Sequence, residues 1–299
     1  MNKFKSRNYR FGVFILLFSL SIGRVAQSES FAVNDSAPGA GTPVSGGDTA
    51  AIAPEQSASP EPAVPAAEAQ PGQRPISIKS FVPNFLSDQK LIFLYPFHLS
   101  EGKHFKHIGA ALGFAAITAG LIALDPHDTP YFRNNTGFNT YKTGILRGRN
   151  TTLLVVGVPV AAFLGGLAKH DSYTVGTGLL AAEALADTQL IGTVLKAATG
   201  RLAPSQIAPH GDFTHTWFKY QGTWNNPGSF PSGHTSAAFS VATVFASRYR
   251  DHKWVPWVAY GVATLIGLSR LPDQAHFPSD LFAGAALGYT MTRFVVLRQ

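Results

Sequence analysis

The chain has 299 residues, which is enough for one or two domains with a buried core. Hydrophobic residues make up 45% of it and charged residues only 14%, against roughly 25% charged residues in ordinary soluble domains. The composition therefore indicates membrane contact or an unusually apolar helical core. The net charge is +7, but five basic residues precede residue 28, and the remaining 19 face 17 acidic residues. A net charge of +2 gives no indication of a nucleic-acid partner.

Residues 1–28 have the pattern of a secretory signal peptide. Basic residues from Lys3 to Arg10 precede the apolar stretch Phe11–Ile22, and Ala26–Ser28 supply small residues for a cleavage site. An uncleaved anchor helix is the alternative, and both interpretations place the following residues on the exported side. The sequence contains no cysteine, which excludes disulfide bonds and thiol catalysis.

Two segments separate this signal from the main domain. Residues 29–75 are rich in Ala, Pro, Gly and Ser, and we predict a disordered tether because such a segment cannot bury enough apolar surface to fold. Residues 76–106 carry scattered aromatic side chains, and we predict a short amphipathic lead-in.

Residues 107–299 are predicted to form an all-α domain, a helical bundle of about six core helices. No stretch of this region alternates apolar and polar residues with the period of a strand. Polar turns separate six apolar segments, at about 107–124, 151–168, 174–196, 233–247, 254–269 and 279–296.

The sequence gives two conflicting indications about membrane crossing. A span needs about 20 apolar residues, but most of these segments are shorter and the third contains Glu183 and Asp187. Basic residues between the fourth and fifth segments suit a cytoplasmic end. If every segment spanned, however, the loop after the third segment would lie in the cytoplasm, and the next loop, which carries these basic residues, would lie on the exported side. Either some segments do not span, or the domain is a compact body at the membrane or in the periplasm.

Three short motifs lie at the ends of these segments. Lys196–Pro204 (KAATGRLAP) closes the third segment, Pro231–His234 (PSGH) opens the fourth, and Ser269–Asp280 (SRLPDQAHFPSD) joins the fifth to the sixth. In an up-and-down bundle these three junctions fall at the same end. We therefore expect one active site at that end of the bundle.

The three motifs together contain the groups that bind a phosphate-like anion. Lys196, Arg201 and Arg270 supply positive charge. Ser232 and Gly233 lie where a helix begins, so unpaired backbone N–H groups and the positive end of the helix dipole face the ligand. Glycine at this position lets the backbone approach the anion closely.

Two histidines and a carboxylate supply the chemistry. His234 and His276 can each transfer a proton or attack a bound group. Asp280 follows His276 by four residues, so its carboxylate can hold one imidazole nitrogen and leave the other to react. Each motif alone also fits an ordinary turn or helix cap; the three in this order and spacing favour a catalytic site.

The second and third motifs resemble those of the superfamily of type 2 phosphatidic acid phosphatases, bacterial class A acid phosphatases and vanadium haloperoxidases. That family has Lys, six residues, Arg-Pro; then Pro-Ser-Gly-His; then Ser-Arg, five residues, His, three residues, Asp. The resemblance covers about residues 107–296. The first motif departs, because Ala203 occupies the position of its second cation and Arg201 is the nearest substitute.

The resemblance implies a phosphatase acting through a phosphohistidine. His276 would be the nucleophile, Asp280 would orient it, and His234 would protonate the leaving group. Lys196, Arg270, Ser232 and Gly233, with Arg201, would bind the phosphoryl oxygens. No metal or cofactor is implied, although vanadate would act as an inhibitor. The substrate class is a phosphorylated small molecule or lipid, met in the periplasm or at the envelope membrane; the sequence does not indicate the oligomeric state.

Two other functions are compatible with the same motifs. A vanadium-dependent haloperoxidase would use the same residues with vanadate as its cofactor. A catalytically degenerate envelope protein is favoured only by Ala203, and retention of both histidines and Asp280 argues against it. Outside the motifs, the stretch Leu124–Phe132 holds His127 between two aspartates, which predicts a solvated loop or, as the alternative, a metal site. The aromatic stretch Thr216–Trp224 would line the substrate entrance or pack as a lid.

Overall fold

The computed structural model describes residues 74–94, 105–134, 147–219 and 228–298. The predicted signal peptide and all but the last two residues of the predicted tether (29–75) lie outside these residues. Within them the chain forms seven α-helices and no strand, so the prediction of an all-α bundle is confirmed. The helices are α1 (Ile78–Leu94), α2 (Phe105–Asn134), α3 (Gly148–Ala168), α4 (Ser172–Thr199), α5 (Gly233–Arg248), α6 (Trp254–Leu268) and α7 (Pro278–Met291).

Helix α5 lies at the centre of the bundle, packed against α4, α6 and α7, while α3 packs on α4 and α2 on α7. The core is built largely from small side chains such as Ala181, Ala184 and Ala237. Helices α5 and α7 approach most closely: a Cβ on Gly284 would lie 2.6 Å from the Ser232 carbonyl oxygen, and one on Gly288 2.2 Å from that of Ser236. Both contacts advance by four residues, so the two helices run parallel and begin at the same end of the bundle.

The ends of these helices follow from local sequence signals. Asp171 caps α4, its Oδ1 accepting from the backbone N–H groups of Tyr173 and Thr174 at 2.9 and 3.2 Å. Gly200 ends α4 in the left-handed conformation with φ of 50°, which a glycine adopts without steric cost. Pro278 begins α7, where its missing N–H is not needed.

Helix α1, from the predicted lead-in, is held on the bundle by a buried ionic cluster. Arg74 bonds to Glu183 of α4 and to Asp88 of α1, the latter at 2.7 Å, while Gln89 donates to Asp187 at 2.6 Å. Arg298 also pairs with Asp88, at 3.1 Å. The acidic side chains of α4 that counted against membrane crossing in the sequence therefore face protein partners.

Several helices present large apolar side chains to the outside. Leu153 and Leu164 of α3 are 61% and 55% exposed, and Trp257 of α6 is 83% exposed. Two described helices, α3 and α4, are long and apolar enough to cross a membrane by length and composition. Only α3 exposes most of its apolar stretch, whereas two thirds of the α4 stretch is buried in the bundle, as expected of a core helix.

Candidate active site

The three motifs meet at one end of the bundle, as predicted. The backbone N–H of Ser232 donates to the carbonyl of Asp280 at 3.0 Å, which joins the start of α5 to the start of α7. Lys196, in the last turn of α4, donates from Nζ to the Gly228 carbonyl at 2.9 Å, and the backbone of Ser229 bonds to Arg201 at 2.8 Å. Chain segments about 80 residues apart thus share one site.

His276 and Asp280 form a pair at the start of α7. The Nδ1 atom of His276 lies 3.5 Å from Oδ2 of Asp280, and the same oxygen accepts from the backbone N–H of Phe277 at 2.9 Å. Both side chains are buried. Burial raises the pKa of the Asp280 carboxyl, but the Arg201 guanidinium and the hydrogen bonds from His276 and Phe277 outweigh burial, so the pKa lies below its usual range. An ionised carboxylate therefore faces one nitrogen of the imidazole ring.

Besides Arg201, two buried cations lie within the site. Lys196 is 7% exposed and Arg270 is fully buried. Arg270 donates from Nε and Nη2 to the Ser269 hydroxyl at 3.1 and 2.9 Å, and its Nη1 lies 3.2 Å from Asp273. Buried cations gain strongly from an anionic partner, because the surrounding protein screens their charge less than water does.

Ser232 and Gly233 have different structural roles at the start of α5. The Ser232 hydroxyl caps the helix, accepting from the backbone N–H and the hydroxyl of Thr235 at 3.4 and 2.9 Å. Packing does not require glycine at position 233. A Cβ there would lie 3.6 Å from Gln189 and 3.8 Å from Lys196, which are ordinary contact distances, and its φ is not positive.

Arg201 makes contacts that differ from the phosphate-binding role predicted for it. Four of its five N–H groups donate within the protein: Nη1 to Asp280 at 2.6 Å and Ser279 at 2.7 Å, Nη2 to Asp125 at 2.5 Å, and Nε to Thr216 at 3.3 Å. Its side chain is 1% exposed. Gly200, in the left-handed conformation, turns the chain directly after α4. The Arg201 side chain therefore reaches the Asp280 carboxylate inside the protein.

Asp125 was missed by the sequence analysis as a site residue. The stretch around it is not a loop, because α2 continues through Asn134. Asp125 is fully buried and accepts from the backbone N–H of Ser279 at 3.1 Å as well as from Arg201. Burial raises the pKa of its carboxyl despite these hydrogen bonds. The prediction of a solvated loop was therefore wrong, because the stretch is helical and Asp125 is buried. The neighbouring His127 is exposed.

Thr152 of α3 is a second site residue that no sequence motif indicated. Its hydroxyl lies 2.7 Å from Nε2 of His234 and also donates to the Gly148 carbonyl at 3.0 Å. The same carbonyl lies 3.2 Å from Nε2 of His234. Since a carbonyl only accepts, Nε2 carries a proton in this arrangement, and the ring is oriented by the first turn of α3.

Comparison with known proteins agrees with the geometry. The family model described as the PAP2 superfamily matches residues 177–299. These residues contain all three motifs.

Residues 177–299 are thus similar to the PAP2 superfamily.

The matched PAP2 region begins inside α4, so it is narrower than the resemblance drawn from the motifs. Helices α2 and α3, which supply Asp125 and Thr152 to the site, lie outside it. None of the solved structures compared with the chain gives a significant match.

Three curated relatives are named for lipid A. The lipid A 1-phosphatase of Porphyromonas gingivalis is 43% identical over 61 residues, covering 20% of this chain and 14% of that protein. The lipid A 1-phosphatase of Rhizobium etli is 35% identical over 99 residues, covering 33% and 40%. The lipid A 4'-phosphatase of Porphyromonas gingivalis is 32% identical over 127 residues, covering 42% and 51%. The chain thus spans about half or less of the length of each.

Proposed function

We propose that this protein is a metal-independent phosphatase that hydrolyses lipid phosphates through a phosphohistidine on His276. The observation that supports this most strongly is the buried His276–Asp280 pair at the start of α7, joined through Ser232 to the start of α5. A nucleophile, a group that orients it, and an anion-binding helix start are the parts that phosphoryl transfer needs.

In the proposed first step, Nε2 of His276 attacks phosphorus in line with the leaving alkoxide. Oδ2 of Asp280, 3.5 Å from Nδ1 of the same ring, stabilises the positive charge that develops there. Lys196 and Arg270, with the helix start at Gly233, bind the phosphoryl oxygens, where negative charge accumulates. Phosphoryl transfer depends chiefly on positioning and on neutralising charge, and in this proposal Lys196 and Arg270 supply the positive charge that a metal ion would otherwise supply.

The proposed proton donor is His234. Its Nε2 is held by Thr152 and Gly148, which assigns proton exchange with the substrate to Nδ1. The ring protonates the leaving oxygen in the first step and then helps to activate the water that hydrolyses the phosphohistidine.

The proposal of a lipid substrate has two supports. The relatives described above are named as lipid A phosphatases, and another, from Schizosaccharomyces pombe, is named as a probable diacylglycerol pyrophosphate phosphatase. The exposed apolar faces of α3 and α6 also suit contact with lipid. We propose an active site on the exported side of the membrane, which agrees with the signal-like N-terminus.

Phosphate release by the purified full-length protein tests this function. We expect release from detergent-dispersed lipid phosphates, no loss of rate after EDTA treatment, and inhibition by vanadate, which resembles the pentacoordinate phosphoryl group. Soluble phosphomonoesters serve as the comparison substrates and should react more slowly. Abolition by EDTA with restoration by a divalent cation would contradict metal independence, and no release from any phosphate would contradict the function.

Gly233 offers a test of the anion site that leaves the fold intact. Gly233→Ala should keep the thermal stability of the wild type, because its Cβ meets the protein only at ordinary contact distances. We expect kcat/KM to fall about tenfold to a hundredfold, since the methyl group would occupy the anion's approach to the helix start. The control is Gly261→Ala, whose added Cβ meets nothing within 4 Å; unchanged activity in Gly233→Ala would contradict the prediction.

A further inference from the structure

The guanidinium group of Arg201 is enclosed by protein on its faces as well as its edge. The centroid of the Trp217 ring lies 4.4 Å from Cζ of Arg201, and the centroid of the Phe277 ring lies 4.0 Å from the same atom. Together with the bonds from four of its N–H groups, these rings exclude water from the group. A cation held in this way is well placed to fix another protein group and poorly placed to grip a substrate that must enter and leave.

The groups that Arg201 joins are two buried carboxylates. Asp280 is held at both oxygens, Oδ1 by Arg201 at 2.6 Å and Oδ2 by the Phe277 N–H at 2.9 Å. Asp125 receives the other side of the guanidinium at 2.5 Å and also bonds to Ser279. Arg201 therefore shares one positive charge between the carboxylate that faces His276 and a second carboxylate behind it.

We propose that Arg201 and Asp125 are positioning residues that fix the alignment and effective charge of Asp280, and through it the reactivity of His276. This inference rests on the proposed function. In this proposal Arg201, the nearest substitute for the cation missing at Ala203, supports the nucleophile. Lys196 and Arg270 then bind the phosphoryl group. Helix α2 becomes part of the site although it lies outside the family match.

The proposal predicts effects of opposite sign. Without Arg201, Asp280 loses its counter-charge and holds a proton on the His276 ring more strongly; without the charge of Asp125, Arg201 acts more fully on Asp280 and the ring is held less strongly. Other charged or titratable groups at this end of the bundle are unchanged in both variants. Among the described residues they include Lys196, His234, Arg270 and Asp273, together with Arg133, which bonds to Gln274, and Arg147 and Arg149 at the start of α3.

The decisive experiment is the pH dependence of kcat/KM for full-length variants. We expect the acid limb to move upward by about one pH unit in Arg201→Met and downward in Asp125→Asn. Arg201→Lys should fall between the wild type and Arg201→Met, because a lysine keeps the charge but cannot bridge both carboxylates. Ser279→Ala removes hydrogen bonds to both residues without changing charge, so its acid limb should stay at the wild-type position.

Inhibition by inorganic phosphate distinguishes this role from phosphate binding. Lys196→Met should raise the inhibition constant about tenfold or more, whereas Arg201→Met should leave it within about threefold. A large rise in Arg201→Met with an unmoved acid limb would overturn the proposal. An unmoved limb in Asp125→Asn would also overturn it, and this nearly isosteric variant decides the matter if Arg201→Met does not fold. Failure of the proposed function is separate, because the wild type would then release no phosphate.

Discussion

His276→Ala is expected to abolish phosphate release, with kcat falling on the order of 10⁴-fold to 10⁶-fold. The reason is that His276 is the proposed nucleophile and His234, whose Nε2 is held by Thr152 and Gly148, has the role of proton donor, so the residual rate would come only from bound substrate attacked by water. The measurement is phosphate release together with covalent labelling by a radioactive phosphate ester. The wild type should form an acid-labile phosphoenzyme, and the variant should not.

The matched control for this variant is His252→Ala. His252 is exposed in the turn after α5, at the opposite end of that helix from the site, so its removal should leave activity and labelling unchanged. Thermal unfolding of both variants should stay close to that of the wild type. Retention of either phosphate release or labelling in His276→Ala would remove the proposed mechanism.

Asp280→Asn is expected to cause the second largest loss, with kcat/KM falling on the order of 10³-fold to 10⁴-fold. The amide keeps the shape of the side chain but removes the charge that stabilises the imidazolium. Its NH₂ group can also donate to the ring nitrogen and thereby favour the wrong tautomer of His276. Arg201 would still be neutralised by Asp125. Steady-state kinetics give the loss, and Asp251→Asn, an exposed aspartate in the turn after α5, is the control with no expected change.

The pH dependence of stability provides an independent check on Asp280. Its folded-state pKa lies below the reference value of 3.8, so its stabilising contribution is fully present above that pH and is lost as the pH falls through the lower folded value. Thermal unfolding of the wild type should show this acid loss, and the part that Asp280 causes should be missing in Asp280→Asn. An identical acid loss in both proteins would show that Asp280 is not ionised in the folded state.

Local signals in the sequence were sufficient for the ends of α4 and the start of α7, and for the end of the bundle at which the motifs meet, but they did not show that α2 continues through Asp125 to Asn134. Gly200 ends α4 and Pro278 begins α7. Both effects could be predicted because the backbone constraints of glycine and proline are intrinsic to these residue types. The pairing of His276 with Asp280 also follows from a spacing of four residues at a helix start. These features depend on neighbours in the chain and could be predicted without coordinates.

The partners of Arg201, Asp125 and His234 were decided only by the tertiary structure. Asp125 lies 76 residues from Arg201 and 154 from Ser279, and Thr152 lies 82 residues from His234. No periodicity or motif links residues at such separations, because their contacts depend on how α2 and α3 pack against α4, α5 and α7. The sequence by itself determined which chemical groups stand at the catalytic end of the bundle, whereas the packing determined whether a buried charge faces the substrate or another side chain.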